Sequence, residues 1–123
     1  LMLVKNKIPF INENSSMKKA LRIITQKKLG TLIVQDSKKN TSGIITDGQI
    51  RRVNQKSHSL FDLKVKQVMT KNPIKVDKEM LAVKALSIMN EKKITSLCVT
   101  DSLNKKKTIG ILHIHNLLQD NIN

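Results

Sequence analysis

The sequence predicts an α/β (α+β) fold made of two β–α–β–β–α halves related by a pseudo-two-fold axis. Three observations predict it. The chain repeats itself at a spacing of 65 residues, each copy passes from helical to extended apolar spacing at the same point, and each copy carries a glycine in its last strand. Sliding Met17–Ser37 onto Ala82–Ser102 gives identity at 10 of 21 positions. The matches are Lys19/Lys84, Ala20/Ala85, Leu21/Leu86, Ile23/Ile88, Lys27/Lys92, Lys28/Lys93, Leu32/Leu97, Val34/Val99, Asp36/Asp101 and Ser37/Ser102. Beyond that window the offset becomes 67, with Gly43 on Gly110, Ile44 on Ile111, Ile45 on Leu112 and Ile50 on Leu117. The two extra residues fit in the Lys105–Lys107 run, where a loop tolerates insertion. Helical periodicity alone could align two amphipathic stretches. It would not also align the strand, the Asp-Ser turn and the glycine that follow.

Each copy opens with a short extended segment, Lys7–Ile11 in the first and Ile74–Val76 in the second. A helix follows. Met17, Ala20, Leu21 and Ile24 stand at i, i+3, i+4 and i+7, and Ala82, Ala85, Leu86 and Met89 repeat that spacing, so each helix presents one apolar stripe. The methionines in the stripe read as core filler. Ser15 or Ser16, and Asp77, are the expected N-caps. The next strands are Thr31–Gln35 and Ser96–Thr100, ended by polar turns at Asp36-Ser37 and Asp101-Ser102. Second strands cover Ser42–Thr46 and Thr108–His113, and final helices cover Asp47–Asn54 and Ile114–Asn121. A helix between two parallel strands implies a right-handed crossover. One half, of about 50 residues, has too little core to stand alone, so the two are expected to clasp each other. The polar stretch Gln55–Lys64 joins them, with Leu60, Phe61 and Leu63 as expected anchors. The expected organisation is a first repeat at 1–56, a linker at 57–68 and a second repeat at 69–123.

Composition narrows the function. The 123 residues hold 23 Lys and Arg against 9 Asp and Glu, a formal charge of +14, which favours anionic partners. The only arginines are Arg22, Arg51 and Arg52, and the only aromatics are Phe10 and Phe61. Phosphate and guanine recognition favours arginine, and single strands need stacking platforms, so a nucleic-acid partner is not expected. No apolar run approaches the roughly 20 residues needed to cross a bilayer, and no signal pattern opens the chain, so no membrane partner is expected and the compartment reads as cytoplasmic. The single cysteine, Cys98, excludes a disulfide framework and a thiolate zinc site. It aligns with Ile33 in an apolar strand and reads as a small buried hydrophobe, not a nucleophile. His58 reads as a surface residue. The first residue is Leu1, not Met, which fits either a start at Met2 or a piece of a longer protein.

These residues match a known pattern. Paired β–α–β–β–α repeats with a Gly-apolar-apolar-Thr turn resemble a tandem CBS pair, or Bateman module, and Val65-Lys66-Gln67-Val68-Met69-Thr70 is similar to its V-x-x-V-M-T lead-in. Gly43-Ile44-Ile45-Thr46-Asp47-Gly48-Gln49-Ile50-Arg51-Arg52 resembles the G-[IV]-[FI]-T-D-G-D-[LI]-R-R segment of arabinose-5-phosphate isomerases of the sugar-isomerase–CBS type. Lys93–Ser96, Gly110–Leu118 and the Ile8-Pro9 pair are similar to theirs as well. The resemblance implies a regulatory and oligomerising module without the N-terminal sugar-isomerase domain that interconverts aldose and ketose. It implies a homodimer of CBS pairs, a tetramer in the full-length protein, and a place in the pathway to the octulosonate sugar of lipopolysaccharide. The competing readings are a stand-alone CBS metabolite sensor and a basic nucleic-acid binder.

The candidate site follows the second strand of each copy. Thr46 ends an apolar strand and a helix begins at once; a helix N-terminus offers free N–H groups and partial positive charge to a phosphate. Gly48 lets backbone approach a ligand, and Arg51 and Arg52 supply cations. The same residues also read as a plain cap, Thr46 with Asp47, and two arginines facing water. Adenine-nucleotide-binding CBS modules carry Asp three residues after that Thr, whereas this chain has Gln49, and the second copy has Asn116 with His113 in the Thr position. An amide replaces a ribose-binding carboxylate only in part. The resemblance therefore turns the ligand expectation from AMP or ATP towards a sugar nucleotide such as the CMP-activated octulosonate. The candidate set is Thr46, Asp47, Gln49, Arg51, Arg52, Ser96, His113, His115 and Asn116. His113 and His115 lack a third ligand by spacing, so no metal, no cofactor and no catalytic residue is expected. Ile50, Val53, Leu117 and Leu118 on the final helices are the expected self-association faces.

Overall fold

The computed structural model describes residues 3–4, 8–27, 30–56 and 60–114. In chain order the elements are β1 (Leu3–Val4), β2 (Phe10–Asn12), α1 (Met17–Lys27), β3 (Thr31–Gln35), β4 (Thr41–Thr46), α2 (Asp47–Lys56), a 3₁₀ turn (Leu60–Asp62), α3 (Val65–Val68), β5 (Thr70–Lys71), β6 (Lys75–Asp77), α4 (Ala82–Lys92), β7 (Ser96–Asp101) and β8 (Asn104–His113). They form two units, one of Pro9–Pro73 and one of Leu1–Ile8 with Ile74–Asn123. The final helix expected in the second copy, with His115, Asn116, Leu117 and Leu118, falls outside the described residues beyond Ile114, as does His58.

In the Pro9–Pro73 unit the sheet order is β2-β3-β4-β5. β2 and β3 run parallel, as a strand–helix–strand connection through α1 requires, and the remaining pairs are antiparallel. The expected stripe of α1 is the one that is buried: Met17, Ala20 and Ile24 pack with Ile11, Leu32, Val34 and Ile45, and Leu21 is packed against them. Ser16 caps α1, its Oγ accepting from the Lys19 N–H at 3.2 Å. Leu60 is buried and Leu63 packs on the same core, as expected, but Phe61 is 60% exposed. A 3₁₀ turn brings residues three apart onto one side, so Leu60 and Leu63 point inwards together and Phe61 is turned out. Val65 and Val68 of the lead-in form a short helix and join this core.

The second unit has sheet order β1-β8-β7-β6, with β6 and β7 parallel. Its core gathers Val76, Ala85, Met89, Leu97, Val99 and Leu112, with Ala82 and Leu86 packed against it. Asp77 does not cap α4. Its Oδ1 accepts from the Glu79 N–H at 2.9 Å and its carbonyl from the Met80 N–H at 3.0 Å, so it closes a turn of its own. Leu81 holds the cap position without a side-chain bond. Asp101 accepts from the Leu103 N–H at 3.0 Å and from Lys78 Nζ at 3.1 Å; these two partners, the amide first, hold its carboxyl below the usual carboxylate range. The insertion at Lys105–Lys107 falls within β8, between the pairs Asp101↔Asn104 and Thr100↔Thr108, and is taken up as a bulge.

The duplication extends to single register pairs. Phe10↔Ile33, Ile11↔Val34 and Asn12↔Gln35 recur as Lys75↔Cys98, Val76↔Val99 and Asp77↔Thr100. Thr31↔Thr46, Leu32↔Ile45 and Val34↔Gly43 recur as Ser96↔His113, Leu97↔Leu112 and Val99↔Gly110. Even the lead-in strands agree: β5 sets Thr70 on Ile44 and Lys71 on Gly43, while β1 sets Leu3 on Ile111 and Val4 on Gly110. Each lead-in thus completes the sheet of the copy it does not belong to in sequence. The boundaries of the Pro9–Pro73 unit fall at the chain's two prolines.

Gly43 is what lets β5 come so close. A Cβ there would stand 2.5 Å from Met69 Sδ and 2.9 Å from the Thr70 carbonyl oxygen. Because backbone is one of the two obstacles, Gly43→Ala forces the strand away, and the expected loss of stability is about 1–3 kcal/mol. Urea unfolding measures it as a lower midpoint; an unchanged midpoint contradicts the close approach.

Candidate functional site

The site of the first copy is built where β3 begins, β4 ends and α2 begins. Thr31 lies opposite Thr46 and is buried. Gly30 precedes it with φ +69°, a conformation that costs glycine nothing. Its carbonyl accepts from the Asp47 N–H at 3.0 Å, and a Cβ on Gly30 would lie 2.8 Å from Asp47 Oδ2. Glycine therefore lets the loop before β3 reach the first turn of α2. The equivalent bond in the other unit runs from the Ile114 N–H to the Thr95 carbonyl at 2.8 Å.

Thr46 and Gln49 form a reciprocal cap. The Gln49 N–H donates to Thr46 Oγ1 at 3.4 Å, and the Thr46 N–H donates to Gln49 Oε1 at 2.9 Å. This Thr-x-x-Gln pattern satisfies two N–H groups that a helix start otherwise leaves bare. Gln49 is buried, and its Nε2 donates to Thr70 Oγ1 on β5. Arg52 extends back over the first turn: a Cβ on Gly48 would lie 3.5 Å from Arg52 Nη1 and 3.9 Å from Thr46 Oγ1. Asp47, Arg51 and Arg52 are exposed.

The expected residues thus divide. Thr46, Asp47, Gln49 and Arg52 are brought together around the start of α2. Arg51 shares the helix and faces solvent. Ser96 and His113 are opposite each other across β7 and β8 in the other unit, Ser96 buried and His113 half-buried. His115 and Asn116 lie outside the described residues. Three positions were missed. Thr31 is the repeat equivalent of Ser96, so the 65-residue offset already pointed to it. Gly30 and Thr70 carried no such signal, because their roles depend on which loop and which strand come to lie beside α2. No three His, Cys, Asp or Glu gather into a metal-holding group among the described residues. No helix among them is long and apolar enough to cross a membrane.

Two units that share the strand–helix–strand–strand order and the same register, each with a polar corner between its strand ends, define a tandem-repeat module. The sequence model of the CBS domain matches residues 3–56 and 65–120, and the chain belongs to the CBS-domain family as a tandem pair. It is 36% identical over 119 residues to the arabinose 5-phosphate isomerase KdsD of Salmonella typhimurium, covering 97% of this chain and 35% of that protein. It is 38% identical over 119 residues to the uncharacterized protein RP505 of Rickettsia prowazekii, covering 96% and 35%. The chain therefore spans about a third of the length of the curated relatives it matches. Among solved structures, a protein with CBS domains from Burkholderia ambifaria superposes with TM-score 0.82 at 26% identity, over 94% of this chain and 82% of that one. CBSX2 in complex with AMP gives TM-score 0.84 at 23% identity, over 98% and 92%.

Cys98 is buried, and that burial pushes its thiol up from about 9 to about 11, against the opposing effects of the Thr108 hydrogen bond and Lys75. The sign follows directly. Above pH 9 the unfolded chain releases the thiol proton while the folded chain keeps it, so stability is expected to fall as pH rises from about 9 to about 11. Cys98→Ala removes this part of the alkaline loss. Urea unfolding of both proteins at several alkaline pH values checks it, and equal pH slopes would contradict the assignment.

Proposed function

We propose that the chain is the regulatory pair of CBS domains of an arabinose-5-phosphate isomerase, a controlling module with no reaction of its own. One observation carries this reading: the match takes up 97% of this chain and 35% of the Salmonella isomerase. In this reading the aldose–ketose isomerisation belongs to a sugar-isomerase domain outside the segment. The pair self-associates, the longer protein is a cytoplasmic tetramer, and the repeats run over 1–56 and 69–123.

The proposed ligand is an anionic nucleotide or sugar nucleotide of the octulosonate branch of lipopolysaccharide synthesis. Support comes from the start of α2, where helix N–H groups, the Thr46 hydroxyl and the Arg52 guanidinium converge. The net charge of +14 draws anions to the surface. Gln49 has its amide committed to Thr46 and Thr70, which favours a ligand that makes no demand on a carboxylate there. Thr46, Asp47, Gln49, Arg51 and Arg52 form the proposed site of the first copy, and Ser96, His113, His115 and Asn116 that of the second.

Thermal shift with the CMP-activated octulosonate, AMP and ATP tests the ligand. At about a hundred times its dissociation constant, a ligand that binds only the folded state adds roughly 2.7 kcal/mol. The expected result is a rise of several degrees with the sugar nucleotide that Arg52→Ala abolishes. Flat melting curves with all three, and no heat in calorimetry, would reduce the pair to a structural part.

A further inference from the structure

We propose that Gln49 is a latch that couples the cap of α2 to the crossing strand β5. Gln49 is 9% exposed, and both ends of its amide are used. The oxygen accepts from the Thr46 N–H and the Thr46 hydroxyl, and the nitrogen donates to Thr70 Oγ1. The amide is planar, so the two ends share one orientation. Rotation that frees the oxygen from Thr46 also carries the nitrogen away from Thr70.

The element on the far side of the latch is weakly held otherwise. β5 is two residues long and pairs only Thr70 with Ile44 and Lys71 with Gly43. So short a strand gains little from its ladder, and one more anchored hydrogen bond is a large share of what fixes it. β5 is also the last element of its unit: two residues after Lys71 the chain passes Pro73 and enters the other unit at Ile74. The condition of the α2 cap is thereby transmitted to the segment by which the chain leaves the unit.

The acceptor hydroxyl of Thr70 is not repeated in the sequence at the equivalent register position. The register partner equivalent to Thr70 is Leu3 on Ile111, and leucine has no hydroxyl to accept a bond. The latch goes beyond the ligand reading, because it rests on bonds within the chain and is tested without ligand.

The test is amide hydrogen exchange on the whole chain, comparing wild type with Thr70→Val, Thr70→Ser and Thr46→Val. Thr70→Val is expected to raise exchange roughly three- to tenfold, the worth of about one net hydrogen bond, at β5 and also at the first turn of α2. Coupling is reciprocal, so Thr46→Val is expected to raise exchange at Thr70 and Lys71 as well as in α2. Thr70→Ser keeps the acceptor and is expected to match wild type at both places. Should Thr70→Val fail to fold, Thr46→Val read at β5 decides alone. Variants that loosen only their own element, or Thr70→Ser behaving like Thr70→Val, would overturn the latch.

Discussion

The structure depends on a strand that each copy takes from the other copy's lead-in. Three strands and a helix from about 50 residues leave a bare sheet edge and a thin core, and neither is easily tolerated. The remedy lies beside Gly43 and Gly110, where β5 and β1 dock in the same register. At Gly43 a side chain would collide with Met69 and the Thr70 backbone, so the absence of a Cβ is itself a structural requirement. α3 and the 3₁₀ turn follow from the same arrangement. Once β5 is committed to the Pro9–Pro73 sheet, the residues leading to it must lie over α1, and they bring Leu60, Val65 and Val68 into its core.

The polar corner at the end of β4 follows from that packing. Thr46 terminates the strand, and the turn into α2 is held by a cap between residues three apart and by the approach of Gly30. These bonds use groups that an anion would also seek. Internal bonds satisfy the corner: Thr46 and Gln49 answer each other, while the Arg52 guanidinium stands over Gly48. A charged ligand would have to offer more than the cap already supplies, and the guanidinium makes that feasible because charge-assisted bonds are the stronger kind.

Much of this was legible in the sequence. The spacing of Met17, Ala20 and Ile24, repeated by Ala85 and Met89, located both long helices and the faces they bury. The 65- and 67-residue offsets align Val34 with Val99 and Gly43 with Gly110, and the structure pairs the members of each copy alike, Val34↔Gly43 and Val99↔Gly110. Failures came where local pattern competes with tertiary placement. Phe61 is the bulkiest apolar residue of its stretch, yet the turn geometry buries Leu60 and packs Leu63 against the core instead. Asp77 has the chemistry of a cap but stands too far ahead of α4 and spends its carboxylate on a turn. The bond from Gln49 to Thr70 joins residues 21 apart that no periodicity relates.

The interleaving of the two units also sets how the protein could be taken apart. A cut between the repeats, wherever it falls, leaves at least one product lacking its borrowed edge strand, because Leu3 and Val4 pair with residues more than 100 positions downstream. A circular permutant of this segment that starts at Pro9 and joins Asn123 to Leu1 would convert the order into two uninterrupted blocks, and only then would a single protease site between them release halves that each own a whole sheet.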